Sequence, residues 1–123
     1  MLYKDALLRE IDSRKSFFSD PCFGSAPNTL YIGGGTPSVL SLKGLERLLS
    51  FLSKYLEKEY EFTIEVNPET IDDEKVKLFA KYGVNRVSIG VESFSEEMLM
   101  FLSRKHKYED IKRCVDLLNK YNI

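Results

Sequence analysis

Residues 30–38 read Leu-Tyr-Ile-Gly-Gly-Gly-Thr-Pro-Ser, and this stretch decides how the chain is interpreted. The apolar and aromatic residues at its start predict a buried strand. The three glycines predict a loop in which the backbone comes very close to another group, because glycine has no side chain to keep it away. An apolar stripe with helical spacing follows. The stretch therefore predicts a strand, a glycine loop and a helix in succession.

Two later segments repeat this design. Residues 61–68 (Glu-Phe-Thr-Ile-Glu-Val-Asn-Pro) and 85–93 (Asn-Arg-Val-Ser-Ile-Gly-Val-Glu-Ser) are apolar strands that end in polar or charged residues. In parallel α/β sheets, ligands bind at the carboxyl ends of the strands. A buried carboxylate without a partner costs several kcal/mol, so a polar group is expected there. The residues at the three strand ends are Gly33 to Thr36, Glu65 with Asn67, and Glu92 with Ser93.

Helical patterns alternate with these strands. We expect strands at 29–32, 62–66 and 86–91. We expect helices at 2–18, 95–102 and 108–121. Two further helices are expected, one from a cap at Ser41 through Leu56 and one from a capping box at Thr70 and Asp73 to Gly83. The expected apolar faces include Tyr3, Leu7, Ile11 and Phe18 in the first helix, Val76, Phe79 and Ala80 in the third, and Ile111, Cys114, Val115 and Leu118 in the last. This order predicts an α/β fold with a parallel sheet and right-handed crossovers, either open or part of a barrel.

Length and charge exclude several classes of protein. The 123 residues predict a single domain, residues 1–123. Acidic and basic residues nearly cancel, 19 against 18, so neither a nucleic-acid nor an anionic-membrane partner is expected. There is no uncharged apolar run of about 18 residues, which argues against a signal peptide or membrane span. Cys22 and Cys114 lie far apart without metal-type spacing, so we expect ordinary thiols in a reducing cytoplasm.

Four blocks of sequence point to a family. Residues 31–38, 64–70, 83–94 and 103–106 resemble, in order and spacing, the radical S-adenosylmethionine (radical SAM) enzymes of the oxygen-independent coproporphyrinogen III oxidase family. The ending Arg104-x-His106 is more similar to the heme chaperone paralogues than to the oxidase proper. The resemblance implies a partly open (β/α) barrel, a place in porphyrin or heme metabolism, and S-adenosylmethionine lying across the strand ends.

The resemblance also assigns site residues. Gly34, Gly35 and Thr36 would contact the methionine end of S-adenosylmethionine, and Glu65 would join the polar ring around the cofactor. Arg104 would meet the cofactor's carboxylate, which suits a planar guanidinium. Glu92 stands where the family usually has glutamine. Because a carboxylate only accepts hydrogen bonds, a contact that needs a donor would be lost there.

The chain departs from the family in its cysteines. The family's chemistry requires a [4Fe-4S] cluster held by a Cys-x-x-x-Cys-x-x-Cys loop, and that loop does not occur in these 123 residues. We therefore expect a fragment, about half of a barrel of ~250 residues, that is inactive alone although its parent family is oxidoreductase. Sheet edges left open in such a fragment would favour self-association.

Other interpretations remain open. The chain could be a non-catalytic heme- or nucleotide-binding module related to the heme chaperones, or half of a split enzyme whose partner chain supplies the cysteines. An ordinary nucleotide-binding domain is less consistent with Pro37, which removes an N–H near the expected phosphate position. Taken alone, Arg104 suits a solvated helix end, His106 an exposed histidine between two lysines, and Asn67 either a strand terminator or a ligand contact.

Overall fold

Helices and strands alternate along the chain, as the sequence predicts. The computed structural model describes residues 3–16, 28–56 and 59–123. Helices α1 to α5 span Tyr3–Ser13, Leu42–Leu52, Asp73–Lys81, Glu96–Phe101 and Tyr108–Lys120, and strands β1 to β3 span Thr29–Ile32, Glu61–Val66 and Arg86–Ile89. Short 3-10 turns follow at Pro37–Val39, Ser53–Tyr55 and Pro68–Thr70. Among the described residues, no helix is long and apolar enough to cross a bilayer.

The three strands form one parallel sheet in the order β1-β2-β3. Leu30 lies beside Phe62, and Ile64 lies between Ile32 and Val87. Parallel pairing places the carboxyl ends of all three strands at one edge of the sheet. The predicted α/β class is therefore confirmed, and the three polar strand ends face the same side of the molecule.

One face of the sheet carries the hydrophobic core. Phe62 and Ile64 of β2 are fully buried, and Leu45 and Leu49 of α2 and Phe79 of α3 are fully buried with them. The first helix joins this core through Leu8, and α5 joins it through Cys114 and Leu118. Burial of apolar surface, which stabilises by about 25 cal/mol per Å², is the main force that holds these helices on the sheet.

The opposite face of the sheet is polar. Side chains alternate between faces along a strand, so Tyr31, Thr63, Glu65 and Ser88 share this second face. Thr63 is buried there, whereas Tyr31 is 55% exposed. The prediction that β1 is a buried strand is therefore wrong, because it is an edge strand with alternating exposure, and β3 shows the same alternation.

Helix ends follow local sequence signals in part, since α1 ends at Ser13 and α2 at Leu52, earlier than the predicted ends at residue 18 and Leu56. Ser41 caps α2 by accepting the Gly44 N–H at 3.2 Å. Gly83, at φ +82°, ends α3 with hydrogen bonds from its own N–H to the Ala80 carbonyl and from the next N–H back to Phe79. The capping box predicted at Thr70 and Asp73 does not form. Asp72 caps α3 instead, accepting the Lys75 N–H at 2.9 Å.

Several predicted positions differ in the structure. Tyr3, Ala80 and Val115 are exposed rather than buried, because the core-facing stripe of each helix is centred on other residues, such as Leu8 in α1. Strand β3 ends at Ile89, two residues early, because the Val91 N–H turns back to the Ile89 carbonyl. Phe18 and Cys22 lie outside the described residues.

Cys114 is a buried free thiol on α5. Burial raises the pKa of this thiol to about 11, so almost none of it is the reactive thiolate at neutral pH. The unfolded chain loses this proton at lower pH than the folded chain, so the contribution of Cys114 to stability falls as the pH rises above about 9.

We therefore expect Cys114 to resist alkylation in the folded chain. In a Cys22→Ser variant at pH 7.5, iodoacetamide should label Cys114 at least ~100-fold more slowly without urea than in 8 M urea, as measured by mass spectrometry. Equal labelling rates under the two conditions would show that the thiol is accessible.

Candidate functional site

A polar cavity of about 240 Å³ lies at the carboxyl ends of the three strands. Its lining includes five of the six predicted site residues, namely Gly35, Thr36, Glu65, Glu92 and Arg104. The sixth, Gly34, lies one residue outside the lining and donates its N–H to Glu65. Residues from four separate stretches of the sequence are therefore brought together at one place.

The glycine loop is open where it borders this cavity. Gly34 and Gly35 have φ values of +85° and +68°, which residues other than glycine rarely adopt. A Cβ built on either residue would meet no atom within 4 Å. Within this loop, close approach to another side chain occurs at Gly33, where a Cβ would lie 2.6 Å from the Tyr31 Cε1 and 2.9 Å from the Glu65 Cδ. The loop thus leaves its backbone accessible at Gly34 and Gly35.

Both oxygens of Glu65 already have partners within the chain. The Tyr31 hydroxyl donates to Oε1 at 2.6 Å, and the Gly34 N–H donates to Oε2 at 3.0 Å. The hydrogen bond to Glu65 is the largest cause of a raised pKa at Tyr31, so this phenol remains a donor at neutral pH. Glu65 therefore fixes the start of the glycine loop and keeps further lone pairs for a ligand.

Tyr31 was missed by sequence reasoning, which placed it in a buried strand. The available signal was its position between Leu30 and Ile32, because alternation along a strand places it on the face opposite these two apolar residues. Asn67 was left undecided between two roles. It lines the cavity, and its Nδ2 donates to the Thr36 Oγ1 at 3.3 Å, so it links the ends of β1 and β2.

Arg104 and Glu92, which both line the cavity, form an ion pair. Two left-handed residues direct these side chains. Glu92 has φ +60°, and Ser103, which ends α4, has φ +54°. The turn at Ser103 lets the Arg104 N–H return to the Leu99 carbonyl at 2.8 Å. The guanidinium is thereby aimed back at the strand ends, and Glu92 matches its charge.

The expectation that His106 is exposed is wrong. Its residue exposure is 2%, and its side chain has no exposed surface. Nε2 lies 3.1 Å from the Val91 carbonyl oxygen. The flanking residues Lys105 and Lys107 are exposed, as the charge pattern suggests, but the histidine between them points inward.

A larger cavity of about 620 Å³ lies between α1 and α2, away from the strand ends. Two of its charged residues pair with each other, since the Arg47 Nη1 lies 2.7 Å from the Asp5 Oδ1. No loop after a strand contributes to it. The cavity at the strand ends is therefore the better candidate for a ligand site.

Comparison with known proteins identifies the family. The model of the radical SAM superfamily matches residues 24–123. The chain belongs to this superfamily. The heme chaperone HemW of Lactococcus lactis is 45% identical over 94 residues, which cover 75% of this chain and 25% of that protein. The anaerobic coproporphyrinogen III oxidase 1 of Cereibacter sphaeroides is 29% identical over 123 residues, which cover 98% and 26%.

Structural comparison gives the same radical SAM assignment. The coproporphyrinogen III oxidase HemN of Escherichia coli, described as a radical SAM enzyme, superposes with a TM-score of 0.80 at 30% identity, over 96% of this chain and 27% of HemN. The chain spans about a quarter of the length of these relatives. Heme chaperones and coproporphyrinogen III oxidases are both among the relatives. The resemblance to this family that the four sequence blocks indicated is confirmed.

The described residues do not fit the [4Fe-4S] cluster that radical SAM proteins use. In residues 3–16, 28–56 and 59–123, no group of three His, Cys, Asp or Glu side chains is placed to hold a metal ion. Cys114, the one cysteine there, is buried on α5 and stays protonated at neutral pH. A cluster needs thiolate ligands, and this part of the chain does not supply them.

Proposed function

We propose that this chain binds S-adenosylmethionine at the carboxyl ends of β1 to β3. The observation that carries the proposal is the convergence of the glycine loop, Glu65, Glu92 and Arg104 on one polar cavity. The cavity is smaller than the ~300–1,000 Å³ typical of pockets that bury a drug-sized ligand. It therefore suits one end of the cofactor, with the remainder lying along the strand ends.

The methionine end fits the groups around the cavity. A guanidinium recognises a carboxylate through two parallel hydrogen bonds, and the side chain of Arg104 supplies the guanidinium. The ammonium group needs acceptors, which the carboxylate of Glu65 and the backbone carbonyls of the glycine loop provide. The open backbone at Gly34 and Gly35 leaves room for this amino-acid group.

For the whole protein, we propose a role in porphyrin or heme metabolism in the cytoplasm. Coproporphyrinogen III oxidases and HemW heme chaperones are both relatives, and the identity of 45% with one HemW, together with the Arg104-x-His106 ending, favours the chaperone branch. For the 123 residues by themselves, the proposed function is binding of S-adenosylmethionine. The alternative is that they form a module that binds heme without turnover.

Calorimetric titration tests the proposal. S-adenosylmethionine and S-adenosylhomocysteine should both bind, because both carry the amino-acid group, whereas adenosine should bind at least ~10-fold more weakly because it lacks the carboxylate that Arg104 pairs with. Absence of binding by S-adenosylmethionine at millimolar concentration, or equal affinity for adenosine, would refute it. Titration with hemin in parallel tests the alternative module.

Removing the negative charge at Glu92 should strengthen binding. In the Glu92→Gln variant, Arg104 loses the carboxylate that competes with the cofactor, so we expect the Kd for S-adenosylmethionine to fall about three- to fivefold, in line with the ~1 kcal/mol of a partly exposed ion pair. Glu96→Gln removes the same charge from the first turn of α4, outside the cavity lining, and should leave the Kd unchanged. Weaker binding by E92Q would contradict the competition.

A further inference from the structure

His106 is one of three buried polar residues in the described chain, with Ser38 and Thr63. Its side chain has no exposed surface, and it contacts groups from two other loops. Nε2 faces the Val91 carbonyl, in the loop after β3, and Nδ1 faces the Glu69 Oε2, in the turn after β2. The ring thus joins three loops, since it lies two residues beyond Arg104 in the loop between α4 and α5.

The Val91 carbonyl closes a strained turn. It accepts the Ser93 N–H at 2.7 Å, which makes a three-residue turn centred on Glu92 at φ +60°. Turns of this kind are rare, and a left-handed non-glycine residue is strained and persists only where its surroundings hold it. Because a carbonyl only accepts, the Nε2 of His106 must donate to Val91. The ring is therefore the second donor on the carbonyl that shapes this turn.

The other ring nitrogen makes no hydrogen bond. Nδ1 lies 3.4 Å from the Glu69 Oε2 but does not meet hydrogen-bond geometry, and it is the buried side-chain polar atom without a partner among the described residues. Buried polar atoms without a partner are uncommon, because each one costs free energy. A leucine would avoid this cost and fill similar space, so packing alone does not account for a histidine here.

We propose that His106 is a positioning residue for the cofactor site, holding Glu92 and Arg104 in the cavity lining through its bond to the Val91 carbonyl. This inference rests on the proposed binding of S-adenosylmethionine. His106 itself is absent from the cavity lining, and it acts through the turn at Glu92. Its role is the rigidity of that turn before the ligand arrives, which lowers the entropy lost on binding.

Two substitutions separate the Val91 bond from simple packing. Glutamine can bring an amide N–H to about the position of Nε2, whereas asparagine reaches only the position of Nδ1. We expect His106→Asn to weaken S-adenosylmethionine binding about fivefold or more, as for loss of one buried hydrogen bond, and His106→Gln to restore most of the affinity. Leu118→Ala, a core change on α5 away from the cavity, should lower stability without changing the Kd.

Hydrogen exchange measured by mass spectrometry gives a readout that needs no ligand. Peptides covering residues 90–95 should exchange faster in H106N than in L118A, at equal distance from each variant's melting temperature, and H106Q should resemble the unsubstituted chain. If exchange does not rise in H106N, or H106Q fails to reverse it, the positioning role is overturned.

The two arms also separate this inference from the proposed function. Faster exchange in H106N together with an unchanged Kd would overturn the positioning role while leaving S-adenosylmethionine binding intact. If the unsubstituted chain does not bind S-adenosylmethionine, the proposed function fails, and the exchange arm alone decides whether His106 holds the turn at Glu92.

Discussion

Replacing Phe79 by alanine should lower the free energy of unfolding by about 3–5 kcal/mol. Phe79 is fully buried in the core between α3 and the sheet, and close-packed surroundings relax only partly into the space that a lost ring leaves. Since domains of this kind are stable by only about 5–15 kcal/mol, the variant should lose most of its resistance to urea. The shift in the urea midpoint, followed by circular dichroism, measures the effect.

A matched control lies on α4. Phe101 is 81% exposed, so Phe101→Ala should change the free energy of unfolding by less than about 0.5 kcal/mol. If the two variants had similar midpoints, Phe79 would not lie in the core, and the packing of α3 on the sheet would be wrong. Phe79→Leu, which retains most of the buried volume, should fall between the two.

The largest effect on binding is expected at Arg104. In the Arg104→Ala variant, the carboxylate of S-adenosylmethionine loses its charged hydrogen bonds, so we expect the Kd to rise about 10- to 100-fold, equivalent to about 1.5–3 kcal/mol. The Arg104→Lys variant keeps the charge but not the planar fork, and its affinity should be intermediate. Calorimetric titration of each variant measures the change.

Arg113 provides the control for net charge. It pairs with Asp110 on α5 and lies outside the cavity lining. Arg113→Ala should therefore leave the Kd within about twofold of the unsubstituted value, since an exposed charge beyond contact distance is largely screened at physiological salt. A loss of affinity in R113A as large as that in R104A would indicate a long-range effect of charge in place of direct contact.

The binding measurements on the Glu92 and Arg104 variants are informative together. With Glu92 present, part of the charge of Arg104 is already matched within the chain. We expect the gain from E92Q to disappear in an R104A background, because the competition that it relieves no longer exists there. Such non-additivity is the usual sign that two residues act on one ligand group.

Much of the fold could be predicted from local sequence. Leucines at helical spacing predict α2, and Ser41 and Gly83 predict helix ends because each performs a local hydrogen-bonding or conformational role. The capping box at Thr70 failed because Asp72, two residues later, offers a competing cap. Thr70 and Asp72 are both plausible N-caps, and Asp72 takes the role because Thr70 already belongs to the 3-10 turn at Pro68–Thr70.

The candidate site was predicted in composition but not in its internal contacts. Gly35, Thr36, Glu65, Glu92 and Arg104 follow from strand ends and family resemblance, and they line one cavity. The Tyr31 bond to Glu65 joins residues 34 positions apart, and no local pattern indicates it. The burial of His106 was likewise hidden, because two flanking lysines make that segment look like a solvated surface.

The amino-acid sequence by itself determined the order of helices and strands, the glycine loop and the superfamily, because these depend on side-chain type and spacing within short segments. Only the tertiary structure decided which carboxylates are paired, that Glu92 lies in a left-handed turn and that His106 faces inward. These features arise where loops from three strands meet. Their geometry depends on contacts between distant residues, whose energies no single segment contains.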